Sequence, residues 1–218
     1  MAQDRTNAMT PQKRLLDLVS ALFLLIVLSP LILGVALAIL IQDGRPVLYL
    51  SERMKSPTEP FRLFKFRTMT VSGADSGVSG GDKSRRITPI GRFLRAKRLD
   101  ELPQLFNVLK GDLSFVGPRP PLRMYVERFP EIYAEVLSCR PGITGLATLV
   151  YHRHEARILE DCATSAETDA AYSRRCVPQK ARLDMIYARR QSVCFDLRLM
   201  FATVFRRISL HRGRSRGA

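Results

Sequence analysis

Residues 18–41 are apolar or small without a single charge. At ~1.5 Å per residue a helix of this length reaches ~36 Å, more than the ~30 Å of a bilayer's hydrocarbon core. The run is too long for a signal-peptide core, and no A-x-A cleavage pattern follows it. A buried core helix is the other reading of such a run. Ser29-Pro30 sits at its middle, where proline removes a backbone donor and kinks a helix. Lys13 and Arg14 precede the run, and Arg45, Arg53 and Lys55 follow it. Basic residues on both flanks lack the asymmetry of a single crossing. The pattern predicts a helix that enters one leaflet, bends at Ser29-Pro30 and returns to the same face. The Ser29 hydroxyl would satisfy a carbonyl freed by Pro30, and both basic flanks would stay with anionic headgroups.

Beyond the run the periodicity shortens. Residues 46–53 and 61–68 have strand character, the second reading Phe-Arg-Leu-Phe-Lys-Phe-Arg-Thr. Its partial alternation predicts a half-buried strand or hairpin arm, although aromatics among bases also suit stacking on nucleic-acid bases. Residues 71–84 are rich in Gly and Ser and read as a mobile loop, with no Gly-Lys-Ser/Thr or Gly-x-Gly-x-x-Gly to cradle phosphate. Residues 89–97 predict a short amphipathic helix. A second helix, with Leu102, Leu105, Phe106 and Leu109 at helical spacing, ends at Gly111. Helices are expected at 121–129 and 130–138, and surface helices within 153–172. Pro-Gly at 141–142 signals a turn, and Gly145 a close backbone approach. From 193 to 208 the residues Leu197, Met200, Phe201, Val204, Phe205 and Ile208 form a helical stripe with Arg198, Arg206 and Arg207 off it. That stripe suits a membrane surface or a core equally.

Charge adds a partner class. Lys and Arg total 35 against 20 acids, a net +15, which calls for an anionic partner: nucleic acid, anionic lipid or a phosphorylated metabolite. The four cysteines are widely spaced without a C-x-x-C pair, which argues against a zinc site and fits reduced thiols. His152 and His154 would share a face on an extended segment, but ordinary polar roles suffice for them.

The chemistry concentrates at Asp100-Glu101. Residues 85–98 hold six bases and no acid, and the two carboxylates follow directly. Bases can hold phosphate oxygens, while carboxylates hold a hard cation or attack phosphorus. By residue type alone Asp100 is also a good N-cap for the helix after it. Prolines 118, 120 and 121 restrict Arg119 and suit it to present a fixed guanidinium fork.

Taken in order, these pieces resemble the bacterial sugar transferases that act on a polyprenyl phosphate, the small monotopic phosphoglycosyl transferases. The matching segments are Lys13-Arg14-Leu15-Leu16-Asp17 leading to Ser29-Pro30, then 60–69, 86–95, Leu99-Asp100-Glu101-Leu102-Pro103 through Ser114, 116–120 and 140–145. The resemblance implies an α+β, mostly helical monotopic membrane protein, with a re-entrant helix in residues 1–42 and a catalytic domain with a small β-hairpin in 43–218. It implies transfer of a sugar phosphate from a UDP-sugar to undecaprenyl phosphate, with Mg2+, at the cytoplasmic face of the bacterial inner membrane, through an aspartyl-phosphosugar intermediate. The tryptophan usual after Gly145 is Leu146 here, and 150–178 departs from the short family form, which bears on donor-sugar choice.

Within that chemistry Asp100 is the nucleophile, ionised at an ordinary pKa of ~3.9 without a base. Successive helical residues point ~100° apart, so Glu101 takes a different role, either Mg2+ binding or, second, proton transfer. Lys65, Arg95 and Arg119 are the phosphate-binding candidates. Expected partners are the UDP-sugar, undecaprenyl phosphate and membrane lipid, with no nucleic acid; a homodimer is left open. The alternatives are a membrane-anchored basic protein that binds nucleic acid or anionic lipid without catalysis, and direct transfer without a covalent intermediate.

Overall fold

A computed structural model describes residues 9–70 and 85–214, so the Gly/Ser-rich stretch 71–84 lies outside it. The described residues are mostly helical, with one small antiparallel hairpin. Helix α1 spans Pro11–Gln42, β1 Leu48–Met54 and β2 Pro60–Phe66. Helix α2 spans Pro89–Lys97, a single 3-10 turn Leu99–Glu101, and α3 Gln104–Lys110. Strand β3 (Ser114–Val116), α4 (Arg123–Arg128), α5 (Pro130–Val136) and β4 (Gly142–Thr144) follow. The chain ends with α6 (Leu146–Glu160), α7 (Ser165–Ala171), a π-helical turn Tyr172–Cys176, α8 (Val177–Arg190) and α9 (Val193–Arg214).

Among the described residues α1 is the one helix long and apolar enough to cross a membrane, and little of it is buried. It starts on Thr10, whose hydroxyl accepts from the Lys13 amide, with Pro11 in the first turn. Pro30 lies inside it, and the Ser29 hydroxyl donates to Ile26 O at 2.8 Å. That carbonyl is the one an ordinary residue at 30 would have bonded, so the Ser-Pro pair repairs its own gap.

Both ends of α1 dock on the same folded body. Near its start Lys13 is buried, ion-paired with Asp196 of α9, and donates to Val116 O (3.1 Å) and Tyr187 Oη (3.3 Å). Arg14 donates to Val108 O (2.6 Å) and Leu109 O (2.8 Å), two of the last carbonyls of α3. Asp17 accepts from the Phe115 amide. Near its end Val35 and Ile39 pack with Phe66 of β2 and Leu94 of α2. Lys13 and Arg14 therefore bind protein groups, where the sequence suggested headgroups. Charge on a short segment does not tell a lipid phosphate from a distant aspartate.

The hairpin pairs Leu48 with Phe66 through Met54 with Pro60. Phe61, Leu63 and Phe66 are buried. These aromatics belong to the core, which removes the base-stacking reading of the strand. Asn107 of α3, fully buried, accepts from the Phe64 amide (2.9 Å) and donates to Arg62 O (2.8 Å). This fixes β2 against α3. Strands β3 and β4 form a parallel pair that the sequence reading missed, three residues each being too short for a period. Their crossing is close: a Cβ on Gly145 would sit 2.1 Å from Gly117 O, as its sequence context foretold.

On α9 the stripe residues Phe201, Val204 and Phe205 are exposed, whereas Leu199 and Asp196 face the body. The exposed stripe favours the membrane-surface reading of this helix over the core-facing one. The four cysteines are free. His152 and His154 lie on helix α6, where two positions apart means nearly opposite faces, so they do not converge.

Candidate active site

Three chain segments converge on Glu101. Lys65 of β2 donates to Glu101 Oε1 at 3.3 Å, and Arg119, from the loop after β3, donates to the same oxygen at 3.2 Å. Arg98 donates to Oε2 at 3.4 Å. Arg98 holds a left-handed backbone (φ 55°) at the junction of α2 with the 3-10 turn. That conformation is unfavourable for a side-chain-bearing residue, and it turns the dyad back toward β2.

Asp100 is therefore no N-cap. It lies within the 3-10 turn, and α3 begins on Pro103 without a side-chain cap. Burial and then the Glu101 charge raise the Asp100 carboxyl above its ordinary range, while Lys65 and Arg95 partly offset them. Among the described residues Asp100 has no ion-pair partner. Glu101 behaves oppositely. Burial acts to raise it, but Arg119, Lys65 and Arg98 together outweigh burial and hold it far below the usual carboxylate range. The two carboxylates are thus driven apart, one firmly charged and one more basic.

The cations respond to the same crowding. Burial, then Arg119, lowers Lys65 to about 8 despite Glu101 and Asp100. Arg53 of β1 joins the site from behind. Burial, then Arg119, lowers it to about 10, and among the described residues it has no carboxylate partner. Its Nη1 donates to Pro120 O at 3.4 Å. A desolvated guanidinium beside a second one suits an anion supplied from outside.

Lys65 and Arg119 thus meet at the dyad. Arg95 stands a step away, donating to Thr68 Oγ1 (2.9 Å) and Met69 Sδ (2.9 Å), and acts on Asp100 through its charge. Sequence reasoning does not single out Arg53, Arg98 or His152, all three of which line the cationic cavity beside the dyad. Arg98 adjoins the dyad and was legible as the last base of the cationic run. Arg53 and His152 carry no signal outside the fold.

Two cavities flank the site. One, of about 610 Å3, opens at Lys65, Arg98 and Arg119 and runs inward among α4, α5, α6 and α8. The other is an apolar groove of about 700 Å3 lined by Ile32 and Ala36 of α1, Phe64 and Phe66 of β2, and Pro103, Phe106 and Lys110 beside or within α3. The three cations that bond Glu101 line the first cavity, and Pro103, two positions after Glu101, lines the second, an arrangement that can hold a diphosphate on one side and a lipid on the other.

Comparison with known proteins gives the family. The family model for bacterial sugar transferases matches residues 8–209. The UDP-glucose:undecaprenyl-phosphate glucose-1-phosphate transferase of Caulobacter vibrioides is 36% identical, over 88% of this chain and 68% of that protein. The protein of the same name from Klebsiella pneumoniae is 35% identical, over 89% of this chain and 39% of its own length. The UDP-N-acetylgalactosamine-undecaprenyl-phosphate N-acetylgalactosaminephosphotransferase of Aeromonas hydrophila is 38% identical over 64% of this chain and 34% of its own. The chain spans about two fifths of the length of the first curated relatives it matches.

Proposed function

We propose that this chain, which belongs to the bacterial sugar transferase family, transfers a sugar 1-phosphate from a UDP-sugar to undecaprenyl phosphate, the initiating step of a surface polysaccharide or glycoconjugate. The observation that carries the proposal is the dyad itself. Glu101 gathers cations from three segments beside an Asp100 that has no ion-pair partner among the described residues.

In this reading an Asp100 oxygen attacks the phosphorus that bears the sugar. The bond from that phosphorus to the bridging oxygen breaks, and UMP leaves. An oxygen of the lipid phosphate then attacks the aspartyl-phosphosugar, the acyl phosphate bond breaks, and Asp100 is restored. Both steps bring anion to anion, so the residues must supply positive charge. Lys65, Arg98 and Arg119 do so at the mouth, held ready by Glu101. Burial that raises Asp100 leaves its charged oxygens poorly solvated and reactive toward phosphorus.

Asp100, with the donor's own phosphate oxygens, fits Mg2+, which takes one or two carboxylates together with substrate phosphates. When bound, the ion supplies charge neutralisation at the diphosphate. We assign it to Asp100 and not to Glu101, because both Glu101 oxygens already hold cations. The same pairing leaves Glu101 no proton to transfer near neutral pH.

The re-entrant, monotopic reading of α1 rests on its two docked ends. At ~1.5 Å per residue, Lys13 and Ile39 lie ~39 Å apart along a straight helix. Both contact one body, through Asp196 at one end and Phe66 and Leu94 at the other. Contact of both ends with one body supports a helix that returns to the face it entered. The dyad then sits near headgroup depth at the cytoplasmic face, and the apolar groove takes the first isoprene units of the acceptor.

The test offers purified protein a panel of UDP-sugars with undecaprenyl phosphate and Mg2+. UMP release is expected with at least one donor, and Asp100→Asn should neither turn over nor become labelled by a radiolabelled UDP-sugar. Near-normal turnover by Asp100→Asn would remove the covalent mechanism. Salt-sensitive binding of nucleic acid or anionic lipid without UMP release would favour the non-catalytic alternative.

A further inference from the structure

Behind the cationic mouth, the cavity of about 610 Å3 is walled by charged and hydroxyl groups that neither the fold nor the dyad chemistry requires. Its size lies within the ~300–1,000 Å3 typical of small-molecule sites. Lys180 of α8 donates to Glu155 Oε1 of α6 at 2.9 Å and to Tyr172 Oη at 3.2 Å, with its ammonium 5.0 Å from the Tyr172 ring centre. These side chains are largely buried, Lys180 at 11% exposure and Glu155 at 21%. Asp184 of α8 also lines the cavity at 5% exposure, and its Oδ1 has no hydrogen-bond partner. Tyr172 opens the π-helical turn, whose extra residue shifts the helix face between α7 and α8. Such turns recur at functional sites. Buried polar groups left incompletely satisfied call for a ligand that satisfies them.

We propose that this chamber is the sugar subsite of the donor: Glu155 and Asp184 accept from ring hydroxyls, Lys180 and Tyr172 donate to ring oxygens, and Arg119 and Arg53 hold the diphosphate at the entrance. The inference rests on the donor being a UDP-sugar. Its orientation follows from charge, because Lys65, Arg98 and Arg119 gather at the mouth to receive a diphosphate, whereas inside the chamber the Lys180 charge is already matched by Glu155. A uracil presents two carbonyl acceptors and one N–H, which would leave the carboxylates unmatched. A pyranose carries several hydroxyls, each able both to donate and to accept. Glu155 and Tyr172 fall within 150–178, so the segment that departs from the short family form supplies two of the chamber's polar groups.

Binding separates this inference from the transferase reading. Full-length protein in nanodiscs, carrying Asp100→Asn so that donor is not consumed, is titrated calorimetrically with UDP, UDP-glucose, UDP-galactose, UDP-N-acetylglucosamine and UDP-N-acetylgalactosamine. At least one UDP-sugar should bind roughly tenfold tighter than UDP, the increment of one or two hydrogen bonds to charged groups. Adding Glu155→Gln or Lys180→Met should erase that increment and leave UDP affinity within about twofold. Asp184→Asn gives an independent third arm, and the unfolding midpoint of each variant checks that it folds. If UDP binds but no sugar adds affinity, the chamber assignment is wrong and the transferase reading stands. Equal weakening of UDP and UDP-sugar by Glu155→Gln would place the nucleoside in the chamber instead. Absence of binding by every nucleotide, both in this variant and in protein that keeps Asp100, overturns both.

Discussion

Lys65 provides the most discriminating test of the site's electrostatics. Its side chain is 16% exposed, and its ammonium shares Glu101 Oε1 with the Arg119 guanidinium. Burial and Arg119 bring it from 10.5 to about 8. At ~1.4 kcal/mol per unit, that fall disfavours the charged form by about 3 kcal/mol. Lys65 is therefore mostly charged at pH 7, half charged near pH 8 and about one-tenth charged at pH 9. If the cation is needed to receive the diphosphate, kcat/KM for the UDP-sugar should decline above about pH 8, approaching tenfold per pH unit, since that ratio reports the free enzyme. Lys65→Arg keeps a charge at all accessible pH and should move this alkaline limb out of range, whatever its effect on the plateau. Lys65→Met should lower the plateau roughly 10–100-fold, as expected for one lost charge-assisted hydrogen bond. The assay is UMP release from pH 6 to 10 under subsaturating donor. A Lys65→Arg profile with the wild-type limb, or a wild-type profile flat to pH 10, would refute the assignment.

Other consequences follow from the same geometry. Arg119→Lys keeps the charge but loses the planar fork set by Pro118 and Pro120, and should lower kcat/KM about tenfold or more; kinetics equal to wild type would make Arg119 a plain loop residue. Burial lifts Asp184 from 3.8 to about 7, so the native state holds a proton there that the unfolded chain has lost, and stability falls as pH rises from about 4 to 7. Asp184→Asn should escape that decline, gaining up to about 4 kcal/mol on wild type between pH 4 and pH 8 in denaturant unfolding; parallel pH profiles would contradict it. For the topology of α1, cysteines are placed at the exposed Gln12 and Thr58 in a variant without Cys139, Cys162, Cys176 and Cys194. Both should resist a membrane-impermeant maleimide until the cells are opened, and labelling of position 12 alone in intact cells would show a full crossing.

Some of this protein was determined by sequence alone. Residues 18–41 can only be an apolar helix, because nothing in them interrupts the period except a Ser-Pro pair that bonds its own freed carbonyl. Local signals also placed α2, with Thr88 accepting from the Gly91 amide and Pro89 in the first turn, and they ended α3 at Gly111, whose φ of 85° suits glycine. The hairpin and the dyad's acidity after a cationic run were likewise local. Tertiary structure decided what no window of sequence contains. It turned Asp100 from an expected cap into a buried carboxylate without an ion-pair partner among the described residues, because Arg98 takes a left-handed backbone and Glu101 collects cations from β2 and the loop after β3. It gave Lys13 an aspartate 183 positions away in place of a headgroup. It also set Glu155, Tyr172, Lys180 and Asp184 around one chamber, although each alone reads as an ordinary polar residue on a helix. Period and capping act over a few residues and survive in the sequence. Ion pairing and desolvation depend on what the rest of the chain brings within a few ångströms.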